Sequence, residues 1–171
     1  MHDFPIADWI DRVVGKTYLA GLPASVIAPE GTDAAPYLLA MLKSENHPVR
    51  QRNIIRALGF TKHDAAIETL LDGLFSPRGQ LTNDQFAALA ETFLALGRLS
   101  RTDATGTALP FLMDGANPDY WADADPGWSY GSYQGPTLDR LLARLAVMAL
   151  GVSGDDAALD YLRTLRQTAD D

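Results

Sequence analysis

The tripeptide Ala-Leu-Gly occurs three times in this chain, at residues 57–59, 95–97 and 149–151. Each copy completes a run of apolar residues at helical spacing, and a short polar linker and another helical run follow it. A glycine just after the last apolar residue of a helix can take a positive φ and end that helix. Three such helix ends predict a helical repeat, and a repeat of this kind constrains the whole fold.

The spacing of the three tripeptides indicates the size of the repeat. The first two are 38 residues apart and the second two are 54 apart. A pair of antiparallel helices that repeats at about forty residues has the period of HEAT and armadillo arrays. The extra 16 residues lie in the turn of the third unit, between Asn117 and Gly135. A compact helical bundle without repeats is the alternative architecture.

Residues that favour helix starts mark the helices within each unit. Asp33, Asp64 and Thr82 precede apolar-periodic segments and can accept hydrogen bonds from the first turn of a helix. Pro48 and Pro136 suit the first turn itself, where no backbone N–H is needed. The sequence therefore predicts two helices in each unit, joined by a short turn.

These signals place residues 1–171 in a single domain. The predicted segments are an N-terminal helix and connector (1–32), three repeats (33–59, 64–97 and 104–151, the last with an insertion at 118–135) and a C-terminal capping helix (155–168). We therefore predict an all-α fold, an α-solenoid of about three helical hairpins with capping helices at both ends.

A short motif in the first repeat strengthens this interpretation. Residues 46–50, Asn-His-Pro-Val-Arg, are followed by the tripeptide at 57–59. Together they resemble the D-x-x-V-R … A-L-G signature of HEAT-like repeats, including those of bilin lyases. The resemblance extends over roughly residues 33–168, although only the first unit carries the Val-Arg pair. It implies that the second helix of each unit lines a concave face.

Charge and composition narrow the classes of function. The chain carries 22 acidic and 14 basic side chains and a formal net charge of −8. Proteins that grip phosphates usually present a basic surface, so a DNA-binding role like that of the HEAT-like alkylpurine glycosylases is disfavoured. The chain has no cysteine, which excludes disulfides, thiolate metal sites and cysteine nucleophiles.

The sequence shows no membrane or targeting segment. No apolar run approaches the roughly 18 residues that would span a bilayer. Residues 1–5 lack the basic and apolar regions of a secretory signal. The compartment stays open: cytoplasmic if Met1 is the native start, and secreted or periplasmic if a leader was removed.

Two motifs resemble parts of catalytic or calcium-binding sites, but the residues around them do not fit such sites. Residues 127–131 fit the G-x-S-x-G nucleophile elbow, which requires a preceding strand and a later histidine. No strand pattern precedes them, and the histidines all come earlier, at His2, His47 and His63. The aspartates at 119, 123 and 125 lack the EF-hand spacing, which favours turn formation over a nonstandard calcium site. We predict no catalytic residue, no metal and no cofactor.

The insertion concentrates aromatic residues. A third of the aromatic side chains lie between Asn117 and Gly135, and these are Tyr120, Trp121, Trp128, Tyr130 and Tyr133. Large rings separated by small polar residues offer wide contact area at low entropic cost. We therefore regard them as candidate contacts for a ligand or partner. The alternative is that they pack as a lid on the helices.

A cluster of arginines is the second candidate surface. No acidic residue lies between Asn46 and His63, a segment that contains Arg52 and Arg56. Aligned on the tripeptides, Arg52 and Arg144 occupy equivalent positions of their helices. An arginine-lined groove can engage carboxylates, although pairing with the chain's own aspartates is the simpler explanation.

These features predict a non-catalytic scaffold that binds a protein or peptide on its concave face, with help from the aromatic insertion. The acidic net charge suits a basic partner and the arginine cluster suits an acidic one, so both remain open. The alternative, which the resemblance to bilin lyases implies, is a lyase or a small-molecule-binding protein that grips a planar ligand.

Overall fold

The computed structural model describes residues 6–16, 22–23 and 31–169. Most of the predicted connector between the first two helices lies outside the described residues. The described part contains nine α-helices and two short strands, which confirms the all-α class. In chain order these are α1 (Ile6–Val14), α2 (Ala35–Ser44), α3 (Pro48–Leu58), α4 (Ala65–Phe75), β1 (Gly79–Leu81), α5 (Asn83–Ser100), α6 (Ala108–Gly115), α7 (Pro118–Ala124), β2 (Trp128–Tyr130), α8 (Pro136–Ser153) and α9 (Asp156–Ala169).

Several helix starts follow the predicted signals. Thr82 forms a capping box with Gln85: the Thr82 hydroxyl accepts from the Gln85 N–H at 3.3 Å, and the Gln85 side chain accepts from the Thr82 N–H at 2.9 Å. Pro48 and Pro136 are the first residues of α3 and α8. Asp64 does not cap α4 with its side chain, which accepts from the Ala104 N–H instead.

The second helix of each predicted unit packs against its counterpart in the next unit. Helix α3 lies against α5, and α5 lies against α8, while α2, α4 and α6 pack on α3, α5 and α8 respectively. Helix α1 packs on α3 and α2. The buried Asn53 ties α1 to α3, because its Nδ2 donates to the carbonyls of Val14 at 2.8 Å and Lys16 at 2.9 Å. One buried apolar cluster runs through all of these layers.

The Ala-Leu-Gly glycines do not end helices by taking positive φ, so that expectation is wrong. Gly59 follows α3 with a φ of −59°, and Gly97 and Gly151 lie within α5 and α8. A methyl group on Gly59 would lie 2.9 Å from the Cα of Ala95, and one on Gly97 would lie 2.2 Å from the carbonyl oxygen of Ala149. Each of these glycines therefore lets its helix approach the alanine of the next tripeptide.

This contact explains the repeat in physical terms. The absence of a side chain lets two helix backbones come closer than an alanine would permit. The two alanines that receive the glycines, Ala95 and Ala149, are fully buried. Gly151, in the last tripeptide, is exposed, and a methyl group there would meet no atom within 4 Å. The tripeptide is thus a position of close contact between helices. The glycine of its last copy has no helix packed against it among the described residues.

The insertion in the third unit is ordered and contains a helix and a strand. Helix α7 begins at Pro118 after Asn117, whose side chain accepts from the Asp119 N–H at 3.1 Å. Strand β2 pairs in parallel with β1, in the register Gly79 to Trp128 and Leu81 to Tyr130. No pattern in the sequence predicts this pairing. It attaches the insertion to the turn between α4 and α5.

Candidate partner-binding site

The first tryptophan of the insertion is part of the core. Trp121 is 1% exposed, and its indole N–H donates to the carbonyl of Gly115 at 2.6 Å. Its ring contacts Phe93 and Phe75, with centroids 5.7 and 6.2 Å away. A methyl group on Gly115 would lie 3.1 Å from the indole ring, so the helix backbone and the ring fit closely. Trp121 packs the insertion onto the helices and is not accessible to a partner.

Trp128 is also buried, at 6% exposure, and its indole N–H donates to the carbonyl of Leu74 at 3.1 Å. Tyr120 is half-buried beside Trp121, and burial, aided by the charge of Asp114, raises the pKa of the Tyr120 hydroxyl. For these three rings, the structure favours the lid interpretation over ligand contact.

The other two insertion rings lie at the surface and stack in parallel. Tyr130 stacks on Phe86 of α5, with centroids 4.0 Å apart and planes inclined by 4°. Tyr133 continues the stack on Tyr130 at 6.3 Å and 5°. The Tyr130 hydroxyl is 3.2 Å from the side-chain oxygen of Asn83. Tyr133 is 41% exposed, so the end of this aromatic stack (Phe86, Tyr130 and Tyr133) is open to a ligand.

The arginine cluster divides into paired and unpaired members. Arg50 pairs with Asp11 and Glu45, and Arg56 lies 3.5 Å from a carboxylate oxygen of Glu91. Arg52 and Arg144 are exposed and form no ion pair with another described residue. They lie on α3 and α8, the two helices that flank α5. Since α5 lies between these two helices, the predicted groove is represented by separate charges at these two positions.

Glu91 is a buried carboxylate held between two guanidinium groups. It is 3% exposed, and its oxygens lie 3.0 Å from Arg98 and 3.5 Å from Arg56. The guanidinium of Arg98 also lies over the ring of Phe60, 4.8 Å from the centroid. A carboxylate on one side and an aromatic face on the other fix this guanidinium in place.

The fixed guanidinium faces a cavity of about 560 Å³ at the C-terminal ends of α3, α5 and α8. We call it the basic cavity, and its lining residues are Gly59, Phe60, Lys62, Arg98, Arg101, Thr102, Val152 and Ser153. Three of them are cations and none is acidic. Cations at helix C-termini are favoured by the helix dipoles, which accounts for part of this concentration. Lys62 and Arg101 are exposed and form no ion pair with another described residue.

The sequence contained a signal for this cavity that the predictions did not use. The residue directly after each tripeptide is Phe60, Arg98 or Val152, and all three line the basic cavity. The positions before the tripeptides single out Arg52 and Arg144 instead. Because equivalent ends of neighbouring helices lie together, the positions after the tripeptides identify a shared site.

A second cavity, of about 570 Å³, lies between the α2–α3 turn, α4 and α5. Ile55, Leu70 and Leu89 give it an apolar floor, while Lys43 and Asp72 lie on its rim. Its size falls within the range of small-molecule sites. Glu45 also lines it, so the cavity carries two carboxylates against one cation and does not favour an anion.

The described part of the chain has neither a metal-binding cluster nor a membrane-spanning helix. No group of three or more His, Cys, Asp or Glu side chains there is arranged to hold a metal ion. None of the described helices combines the length and apolar character needed to cross a bilayer. Comparison of the chain with protein families, with curated proteins and with solved structures finds no match.

Proposed function

We propose that this protein is a non-catalytic scaffold, a short α-solenoid of HEAT-like hairpins that holds an acidic peptide segment of a partner protein. The observation that carries the proposal is the basic cavity, where the ends of three helices bring Lys62, Arg98 and Arg101 together. Carboxylates are suited to this site because guanidinium groups bind them with two parallel hydrogen bonds.

The order of helix packing supports the solenoid. Helices α3, α5 and α8 are consecutive neighbours, and the same glycine-to-alanine contact joins each pair. Two equivalent contacts between successive units are typical of a repeat, because each unit buries its face against the next one. In a compact bundle without repeats, equivalent contacts at the same tripeptide position are not expected.

The balance of charge around the cavity supports an acidic partner over a basic one. Glu91 is shared by Arg56 and Arg98, so one carboxylate faces two guanidinium groups. Lys62 and Arg101 add two further cations whose charge no described acid balances at close range. A bound segment rich in Asp or Glu would supply the missing negative charge, although the chain's net charge of −8 slows its approach.

A peptide suits the cavity better than a lone inorganic anion. Phe60 and Val152 line it beside the cations, so apolar surface is available next to the charge. An acidic segment that also carries apolar side chains can use both kinds of contact. Phosphate or sulfate can use only the charge.

Fluorescence polarisation with a labelled peptide of interspersed Glu and Leu tests the proposal. We expect saturable binding, weaker at high salt, and at least about tenfold weaker binding for the counterpart with Gln in place of Glu. The test variants are Lys62→Glu and Arg101→Glu, which change exposed side chains of the cavity. Each is expected to weaken binding by about tenfold.

Arg166→Glu is the matched control, because Arg166 is an exposed cation on α9 that does not line the cavity. It makes the same change in net charge and is expected to leave binding nearly unchanged. Equal losses in the cavity variants and in Arg166→Glu would mean that only overall charge matters, and the proposal would then be wrong.

The open end of the aromatic stack supports a second candidate function, the binding of a planar small molecule. Three nearly parallel rings end in the exposed Tyr133, and a planar group can continue such a stack. This is the feature that a small-molecule protein resembling the bilin lyases would use. Absorbance of the purified protein and titration with a soluble porphyrin test it, and Tyr133→Ala should abolish any binding found. Saturable porphyrin binding that Tyr133→Ala leaves unchanged would exclude the stack as its site.

A further inference from the structure

Helices α4 and α6 contain nearly the same short sequence. Residues 70–73 of α4 are Leu-Leu-Asp-Gly, and residues 112–115 of α6 are Leu-Met-Asp-Gly. The leucines that begin the two segments are buried, at 1% and 0% exposure, so both helices present the same side to the core. Gly73 and Gly115 therefore occupy equivalent positions in the first helices of the second and third units.

The third unit places an indole ring against its glycine. The Trp121 ring lies 3.1 Å from the position that a methyl group on Gly115 would take, and its N–H donates to the Gly115 carbonyl at 2.6 Å. The ring also contacts Phe75 of α4 and Phe93 of α5. Ala146 of α8 borders the same space, because its Cβ lies 3.6 Å from that methyl position. Trp121 thus fills the space where α4, α5, α6 and α8 meet.

The second cavity, of about 570 Å³, is the equivalent space one unit earlier, where α2, α3, α4 and α5 meet. Gly73 lines it. Ile55 lines it at the position equivalent to Phe93, since both lie four residues before a tripeptide glycine. Thr92 lines it at the position equivalent to Ala146, five residues before such a glycine. The second cavity is therefore the counterpart of the space that the indole fills, and no described side chain fills it.

Gly73 leaves room for a ligand against the backbone of α4. A methyl group on it would meet no atom of another described segment within 4 Å, so packing within the described chain does not require a glycine there. Glycine inside a helix costs about 1 kcal/mol relative to alanine, and the close approach of a ligand to the backbone is one use of it. Pro77, four residues later, has no N–H to donate to the Gly73 carbonyl. This carbonyl lacks its usual helical donor and can accept from a ligand.

We propose that the second cavity binds a small neutral aromatic molecule of about the size of indole, whose ring N–H donates to the Gly73 carbonyl. A neutral ring is the occupant of the equivalent space in the third unit. Ile55, Leu70 and Leu89 form the apolar floor on which the ring packs. The volume is within the range of small-molecule sites and leaves room for substituents on the ring. The second cavity shares no lining residue with the basic cavity, so this proposal can fail independently of the proposed peptide binding.

Titration of 5-fluoroindole with the protein, followed by fluorine NMR, tests the proposal. The unaltered chain should broaden and shift the fluorine signal saturably. Gly73→Leu should abolish this change, since its side chain enters the space of the ring, and circular dichroism checks that the variant remains folded. Gly151→Leu is the matched control, because Gly151 also lies within a helix and faces open space but does not line the second cavity. It should bind like the unaltered chain.

Three results would overturn the proposal: no saturable binding to the unaltered chain, binding that Gly73→Leu retains, or equal losses in Gly73→Leu and Gly151→Leu. Tyr133→Ala separates the second cavity from the aromatic stack, because Tyr133 does not line the cavity. This variant should bind like the unaltered chain, and loss of binding would place the ring on the stack instead.

A second probe, 5-fluoro-1-methylindole, tests the hydrogen bond to Gly73 without altering the protein. Methylation removes the ring N–H and keeps the aromatic surface, so we expect about tenfold weaker binding. Equal affinity of the two probes would overturn the contact with the Gly73 carbonyl. A tryptophan-containing peptide that binds this cavity when 5-fluoroindole does not would overturn the assignment to a small molecule.

Discussion

Gly97 and Gly151 end identical tripeptides on neighbouring helices, yet their surroundings are opposite. A methyl group on Gly97 would collide with the backbone of Ala149, whereas one on Gly151 would enter open space. The difference arises because every helix but the last in the row α3, α5, α8 has a following helix to meet. A repeated sequence therefore indicates a repeated position, and the neighbours of that position decide what each copy does.

The aromatic rings of the insertion also differ in whether they are enclosed or open. Substitution of an enclosed ring gives the largest expected effect on the free energy of unfolding. Trp121→Ala removes a ring that is 1% exposed and should lower the free energy of unfolding by about 3–5 kcal/mol. Tyr133→Ala removes an exposed ring and should change it by less than about 1 kcal/mol. Urea denaturation of both variants measures the difference. Similar losses would mean that the two rings contribute equally to the fold.

Glu91 allows a buried charged residue to be compared with an exposed one. Glu91→Gln leaves Arg56 and Arg98 without their shared carboxylate, in a place where both are only about one-fifth exposed. We expect a loss of about 2 kcal/mol in the free energy of unfolding. The exposed Glu68 on α4 is the control, and Glu68→Gln should change stability by less than about 0.5 kcal/mol. A near-zero effect at both positions would show that the buried pair does not stabilise the fold.

Asp103 organises the loop between α5 and α6. Burial opposes its ionisation, but hydrogen bonds from the N–H groups of Ala108, Thr105 and Thr107 and from the Thr105 hydroxyl outweigh it and lower the pKa of Asp103. The folded state therefore binds this proton less readily than the unfolded chain, and the stabilisation is present at neutral pH.

Asp103→Ala should reduce the free energy of unfolding by about 1–2 kcal/mol at pH 7. The difference from the unaltered chain should shrink as the pH falls below the ordinary aspartate pKa of about 4, since Asp103 then becomes protonated. Thermal denaturation across this pH range checks the prediction. A constant difference at every pH would show that the charge of Asp103 contributes nothing.

The pKa of Asp139, in the first turn of α8, is shifted in the opposite direction from that of Asp103. Its substitution has the smallest expected effect on stability. Burial and the nearby Asp125 raise the pKa of Asp139, against the attraction of Arg140. Its ionised form therefore opposes folding, and this penalty appears as the pH rises through the folded-state pKa. Asp139→Asn should stabilise the protein at pH 7 by roughly 0.5 kcal/mol and have little effect near pH 3. Destabilisation at pH 7 would contradict this assignment.

Local sequence signals predicted most of the helix starts, although neither Asp33 nor Asp64 caps a helix with its side chain. The Thr82 capping box, the prolines that begin α3 and α8, and the aspartate that precedes α9 act within a few residues of the chain. Asp155, for example, accepts from the Ala157 N–H at 2.8 Å. Such contacts can be inferred from the sequence because both partners lie within one turn of helix.

The parts that sequence reasoning missed depend on contacts between distant segments. Strands β1 and β2 are three residues long and pair across nearly fifty residues, so no hydrophobic alternation signals them. The packing role of Gly59 and Gly97 has no local signal, because the alanine that each one meets lies in the next unit. The basic cavity also depends on distant segments, because Lys62 follows α3 whereas Arg98 and Arg101 lie at the end of α5.

The three tripeptides occupy successive positions of one row of packed helices, enclosed at Gly97 and open at Gly151. The free energies of unfolding of Gly97→Ala and Gly151→Ala, measured by urea denaturation, test this difference. Gly97→Ala should destabilise by about 2–4 kcal/mol because of the clash with Ala149. Gly151→Ala should stabilise by about 0.5 kcal/mol, since alanine favours the helix. Equal effects, or effects of the same sign, would mean that no neighbouring helix distinguishes the two positions.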